Sequence, residues 1–73
     1  MTMTDVWTLE VDRNLAQLIR TWRGEGEKTW RSIAALVTEH LGLPHSTNQA
    51  AGQQLCEKAA RLLGEDPNRD PWN

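Results

Sequence analysis

The side chains best suited to chemistry in this chain form a polar cluster in its second half. Short hydroxyl and amide residues begin at Ser46, and two further glutamines follow one helical turn later. Asn and Gln amides can bond in pairs to adenine, Thr can contact a thymine methyl group, and a helix N-terminus can receive a phosphate oxygen. We therefore expect a DNA-contacting surface on this cluster. It consists of Ser46, Thr47, Asn48, Gln49, Gln53 and Gln54.

Cations that could meet phosphate groups lie earlier in the chain. Lys28 and Arg31 stand near the start of the helix that precedes the polar cluster. The formal net charge of −2 argues mildly against nucleic acid, because most of that affinity comes from cations. Residues 13–31 nevertheless carry five cations and two acids, so a polyanion is expected to contact this block. The alternative interpretation is a solvated amide face, on which Glu57 would repel phosphates.

Two amphipathic stretches predict helices in the first half of the chain. Over 9–23, apolar residues recur at i, i+4, i+7, i+8 and i+11 from Val11, which is one face of a helix. Thr8 is the expected N-cap of this helix, since its hydroxyl can accept from a free backbone N–H. Over 29–41 a second apolar face follows, and Thr29 is its expected N-cap.

A third helix is predicted over 46–63. Pro44 cannot continue the preceding helix, and Ser46 with Gln49 fits the capping-box pattern S-x-x-Q that opens a helix. Gly52 costs about 1 kcal/mol relative to alanine inside a helix. We therefore expect close packing against another helix to be the reason for this glycine.

These elements predict an all-α fold, a small three-helix bundle that contains a helix-turn-helix-like pair. Residues 1–73 form a single domain with a compact core over about 7–64, an irregular N-terminal lead-in and a flexible C-terminal tail over 65–73. Two Asp-Pro steps favour an extended or disordered tail, with docking of Trp72 back onto the body as the alternative. The expected core comprises Trp22, Trp30, Leu15, Leu18, Ile19, Ile33, Val37, Leu55, Ala59 and Leu62.

Several classes of protein are disfavoured by what the sequence lacks. No arrangement of side chains typical of catalysis is apparent, so we predict neither an enzyme nor a cofactor. His40 and His45 flank one turn and Cys56 lies further along the next helix, a spacing typical of no known metal site, so no metal site is predicted. A single cysteine favours a reducing, cytoplasmic setting. There is no stretch of about 20 apolar residues to cross a bilayer, and no signal-peptide pattern.

Three short motifs resemble those of Myb/SANT-like domains. Trp7-Thr-Leu-Glu-Val-Asp12, with Leu15, is similar to their opening W-T-x-E-E-D-x-x-L. Trp30-Arg-Ser-Ile-Ala34 resembles their second-helix W-x-x-I-A. Ser46-Thr-Asn-Gln-Ala50 is similar to their third-helix opening R-T-x-x-Q, with the glutamine one residue early.

The resemblance covers residues 7 to about 55 and implies a three-helix fold with a helix-turn-helix, often DNA-binding and sometimes protein-binding. Three features depart from the family pattern. The spacings between the motifs are longer, Leu55 stands near the place of the third aromatic residue, and amides replace the usual basic residues of the third helix.

We therefore predict a small helix-turn-helix DNA-binding domain with a transcription-regulatory role. Its third helix would read bases of double-stranded DNA, while Lys28 and Arg31 would contact phosphates. The alternative is a helical protein-interaction or oligomerisation module that does not bind DNA and has no membrane partner. That module would use apolar side chains expected at the surface, namely Leu36, Cys56 and Trp72.

Overall fold

The computed structural model describes residues 9–26 and 29–73, and these residues form three α-helices and no strand. Helix α1 spans Arg13–Gly24, α2 spans Trp30–Leu41 and α3 spans Gln49–Leu62. Helix α3 packs against both α1 and α2, which make few contacts with each other. The expected all-α three-helix bundle is therefore confirmed, with α3 as its central element.

Helix α1 begins later than the sequence predicted, because Asp12 caps it. The Asp12 Oδ1 atom accepts a hydrogen bond from the backbone N–H of Leu15 at 2.7 Å. The expected cap, Thr8, lies outside the described residues. Helix α2 begins as predicted, because Thr29 Oγ1 accepts a hydrogen bond from the backbone N–H of Ser32 at 3.2 Å.

The capping box predicted at Ser46 and Gln49 is wrong, since α3 begins only at Gln49. Asn48 is the N-cap, and its Oδ1 atom accepts from the backbone N–H of Ala51 at 3.1 Å. The backbone N–H of Ser46 donates to Thr38 Oγ1 at 3.4 Å, and the Ser46 hydroxyl accepts from the backbone N–H of Asn48 at 3.3 Å. These bonds keep Ser46 in the connection between the helices.

The core is built partly from the expected residues. Six of them are buried, namely Leu15, Ile19, Ile33, Val37, Leu55 and Ala59. Four others lie at its edge, which corrects the prediction: Trp22, Trp30 and Leu18 are partly buried, and Leu62 is 39% exposed. The buried stripe of α1 also includes Ala16, which was not among the expected core residues.

The closest approach between α2 and α3 occurs at Gly52. Here α3 lies against the backbone of Trp30, the first residue of α2. A Cβ atom built on Gly52 would overlap the carbonyl oxygen of Trp30 and lie 2.6 Å from its carbonyl carbon. No side chain fits in this position, so the close packing expected at Gly52 is confirmed. It holds the first turns of α2 and α3 directly together.

Residues 65–73 fold back onto the helices, which corrects the expected extended tail. Trp72 is 2% exposed and is the largest fully buried side chain among the described residues. Its carbonyl oxygen accepts from Arg23 Nη2 at 2.9 Å, and its indole Nε1–H donates to Glu65 Oε1 at 2.8 Å. Arg20 completes the cluster, with its Nε atom 2.7 Å from Glu65 Oε2. A buried ring and an ion pair thus dock the segment.

Substitution of Gly52 by alanine tests the contact between α2 and α3. The new Cβ would collide with backbone atoms, so we expect Gly52→Ala to lower the free energy of unfolding by about 1–3 kcal/mol. This loss should appear even though alanine favours a helix by about 1 kcal/mol over glycine. The matched control is Gly24→Ala, because a Cβ on Gly24 meets none of the described atoms within 4 Å. Equal urea-unfolding midpoints for the two variants would contradict the prediction.

The Glu65 carboxylate should make docking of the C-terminal segment depend on pH. The hydrogen bond from Trp72, and then the Arg20 guanidinium, lower the pKa of Glu65 from its ordinary value of 4.5. Because the folded-state pKa is lowered, this stabilisation is complete above the ordinary pKa and is lost as pH falls through the folded-state pKa. Thermal unfolding between about pH 6 and pH 3 should show a smaller acid-induced loss for Glu65→Gln than for the wild type. Parallel curves would contradict this expectation.

Candidate nucleic-acid interface

A groove between the first turns of α2 and α3 carries part of the predicted site. This α2–α3 groove has a volume of about 480 Å³. The exposed Arg31 and the buried Arg23 are among its lining side chains and none of the described lining side chains is acidic, so these side chains suit an anionic group such as a phosphate. The lining residues are Arg23, Thr29, Trp30, Arg31, Gln49 and Asn73.

Both helices contribute their N-terminal residues to the groove. Thr29 is the N-cap of α2, and Gln49 is the first residue of α3. The cap side chains of Thr29 and Asn48 each satisfy one backbone N–H, while other N–H groups of a first turn have no partner within their helix. A helix N-terminus carries partial positive charge and favours anions. The contact at Gly52 therefore brings two such ends together.

Arg31 and Gln49 are two predicted site residues that the fold brings together. Arg31 is the second residue of α2, Gln49 opens α3, and both are exposed and line the groove. A guanidinium can bind a phosphate through two parallel hydrogen bonds, and a Gln amide can bond to a base edge. The third candidate of this group, Lys28, lies outside the described residues.

Ser46, Thr47 and Asn48 lie in the connection before α3, not on the helix where they were predicted. Ser46 is partly buried, and its hydroxyl and backbone N–H are both engaged within the protein. Asn48 is exposed, but its Oδ1 atom caps α3, so only its amide nitrogen remains for another partner. Thr47 has an exposed side chain. The fold therefore reduces what this part of the cluster can offer to a base.

Gln53 and Gln54 are exposed one turn further along α3. Gln53 lies beside the C-terminal segment and lines a small cavity of about 30 Å³ with residues of that segment. Glu57 lines the same cavity and is partly exposed. The carboxylate that was expected to repel phosphates is thus next to Gln53, so the start of α3 is its less acidic end.

The arginines of the first half of the chain do not form one continuous cationic face. Arg20 is ion-paired with the C-terminal segment, and Arg23 is 5% exposed, with its Nη2 atom donating to a backbone carbonyl of that segment. Arg13 is exposed at the start of α1 but does not line the groove. Among the described residues of 13–31, Arg31 is the exposed arginine that lines the groove with Gln49 at the start of α3.

Arg23 and Asn73 line the groove, although the sequence did not indicate either of them as a site residue. Arg23 follows Ile19 by four residues, so its helical spacing from a buried position was a usable signal of its inward placement. The charge of Arg23 instead predicted an exposed position, because arginine side chains are mostly exposed. Asn73 arrives at the groove only because Trp72 docks, a long-range contact that no local pattern reveals.

The apolar surface predicted for a protein partner is not present in the expected form. Cys56 and Trp72 are each 2% exposed, and Leu36 is partly buried. Two of the three side chains proposed for this surface therefore belong to the core. Cys56 lies on the packed face of α3, and Trp72 is buried because the segment that carries it docks onto the helices. A partner would have to use a different surface.

Three further observations concern metal ligands, membrane spans and the cysteine. Among residues 9–26 and 29–73, no three His, Cys, Asp or Glu side chains come together as metal ligands would. None of the helices in these ranges is long and apolar enough to cross a membrane. Burial raises the pKa of the Cys56 thiol to about 11, which keeps it in the unreactive thiol form.

Comparisons of the chain with protein-family models, with curated proteins and with solved structures find no match. The resemblance of residues 7 to about 55 to Myb/SANT-like domains therefore stays a prediction. The candidate site consists of the residues of the α2–α3 groove and the exposed face of α3.

The raised pKa of Cys56 predicts a slow reaction with alkylating reagents. A pKa raised from 9.0 to about 11 lowers the thiolate fraction about 100-fold at a pH below both values. We expect the native protein to react with iodoacetamide at least about 100-fold more slowly than the urea-unfolded chain at the same pH. Equal rates in the two states would show that the thiol is accessible and ordinary, contrary to its 2% exposure.

Proposed function

We propose that this chain is a small DNA-binding domain of the helix-turn-helix type with a transcription-regulatory role. In this proposal α3 approaches the bases and the start of α2 contacts the phosphate backbone. The observation that supports it most is the shared lining of the α2–α3 groove, where Arg31 and Gln49 come together from two helix starts. A residue that can position a phosphate and one that can read a base are thereby adjacent.

A phosphate in the groove would meet three favourable features. Arg31 offers a planar guanidinium that can bond two phosphate oxygens. The first turns of α2 and α3 add backbone N–H groups and partial positive charge. With a phosphate held there, Gln49 lies at the same groove and can offer its amide to a nearby base edge, with adenine as its best-matched partner.

The distribution of acids on and beside α3 determines which part of the helix would face DNA. Glu57 lies on α3 beside the docked C-terminal segment, and phosphates near it would be repelled, so DNA would approach the N-terminal half of α3. Asp70 lines a cavity with Arg23 and Asn73, which also line the α2–α3 groove, so it lowers the affinity expected there. Because few cations contribute, we expect modest affinity that falls as salt rises.

The Myb/SANT-like resemblance supports the same surface. Its second-helix motif begins at Trp30 and includes Arg31, and its third-helix motif ends with Gln49 and Ala50. These residues open α2 and α3, and three of them line the groove. The family pattern and the groove therefore favour the same pair of helix starts as the nucleic-acid surface.

Binding of mixed DNA duplexes at low salt, followed by fluorescence anisotropy, tests the proposal. We expect Arg31→Ala to weaken binding to all sequences alike and to reduce the slope of log affinity against log salt by about one, because one phosphate contact is removed. The matched control is Arg13→Ala, since Arg13 is an exposed arginine that does not line the groove. A wild-type protein that binds no duplex, or equal losses in the two variants, would contradict the proposal.

A third variant separates base reading from phosphate contact. Gln49→Ala should leave the salt slope unchanged but relax the preference for one base pair, by about 1–3 kcal/mol if the amide bonds in a bidentate manner. Its control is Gln17→Ala, because Gln17 is an exposed glutamine on α1. An unchanged sequence preference in Gln49→Ala would remove Gln49 from the proposed base contacts.

A further inference from the structure

A second groove lies between residues 9–12 and the last turns of α3, at the end of α3 away from Gln49. It has a volume of about 740 Å³. Apolar side chains of Leu9, Val11 and Leu62 contribute to it, and Leu62 is 39% exposed. Leu9, Val11 and Leu62 thus line one open groove together, and apolar side chains grouped in this way, unlike single exposed ones, mark a surface that another molecule covers.

The charges around this second groove are divided between its two sides. Residues 9–12 contribute the acids, Glu10 and Asp12, while α3 contributes the bases, Lys58 and Arg61. Asp12 is engaged as the cap of α1, and Lys58 Nζ donates to the carbonyl oxygen of Leu9 at 3.2 Å. Glu10 and Arg61 are both exposed. Among the described residues these two form no ion pair with each other within 4 Å.

We infer that a second copy of this chain docks in this groove about a two-fold axis. In such a pair each copy presents the same patch, so a residue of one copy meets a different residue of the other. Glu10 of each copy then faces Arg61 of its partner, and the two Leu62 side chains meet near the axis. The groove carries an exposed acid, Glu10, and an exposed base, Arg61, beside an apolar floor, and a self-complementary surface requires both signs of charge on the same patch.

If the pair binds DNA, the pairing also predicts the spacing of the DNA half-sites. This part of the inference rests on the proposed function. Helix α3 has 14 residues and therefore extends about 21 Å. Two copies joined near the C-terminal ends of α3 would place the two helix starts up to about 40 Å apart. Two-fold DNA-binding dimers read half-sites about 34–36 Å apart, one turn of the double helix. The expected target is therefore a palindrome whose half-sites are about one turn apart.

Sedimentation equilibrium of the full chain without DNA tests the pairing directly. We expect the mass to rise with concentration from 8.3 kDa toward twice that value. Glu10→Arg and Arg61→Glu should each weaken association about tenfold or more, because each places like charges opposite one another. Both residues are exposed, so both variants should keep the circular dichroism spectrum of the wild type.

Two recombinations of these variants separate pairing from a general effect of charge. A mixture of the Glu10→Arg chain with the Arg61→Glu chain should associate again, because every pair across the axis then joins opposite charges. The double variant Glu10→Arg/Arg61→Glu should also associate, for the same reason. A wild type that stays monomeric at about 1 mM, or a mixture that associates no better than the single variants, would overturn the inference.

The outcomes remain distinguishable from those of the proposed function. Association is measured without DNA, so a failure to bind DNA leaves a positive result for the pairing intact. A monomeric wild type that still binds DNA would overturn the pairing alone. In that case we expect binding to a single half-site, with no gain from a second half-site placed one turn away.

Discussion

The contact between Gly52 and the backbone of Trp30 is the constraint on which the rest of the fold depends. It allows the first turn of α3 to lie directly against the first turn of α2, where any side chain would collide with a carbonyl group. Because two helix starts meet there, Arg31 and Gln49 line one groove. A helix packed at an ordinary distance of about 8–10 Å would separate these residues.

The C-terminal segment gives the molecule its distribution of charge. Its docking uses Arg20 and Arg23, two cations that could otherwise have faced a polyanion, to bind Glu65 and the carbonyl of Trp72. The same segment carries the exposed acids Asp66 and Asp70, and Asp70 lines a cavity with Arg23 and Asn73. The start of α3 is left as the end that can accept a phosphate, while the groove at its other end carries charges of both signs.

Local signals predicted more of this fold than of its site. The apolar face and Thr29 cap predicted α2 correctly, because both depend on neighbouring residues alone. The start of α3 was missed because Ser46 bonds to Thr38 on another helix, which no capping pattern can reveal. Burial of Trp72 depends likewise on distant partners. For the site, the residue types indicated Arg31 and Gln49, but only their packing shows that they share a groove.

The most direct measurement is an NMR titration of the nitrogen-15-labelled chain with a pool of short DNA duplexes at low salt. We expect the backbone amide signals of Trp30, Arg31, Gln49 and Ala50 to move first and to return when salt is raised. The signals of the last turn of α3 should move little at a protein concentration where the chain is monomeric. An absence of shifts, or shifts centred on the last turn of α3, would contradict a nucleic-acid surface at the α2–α3 groove.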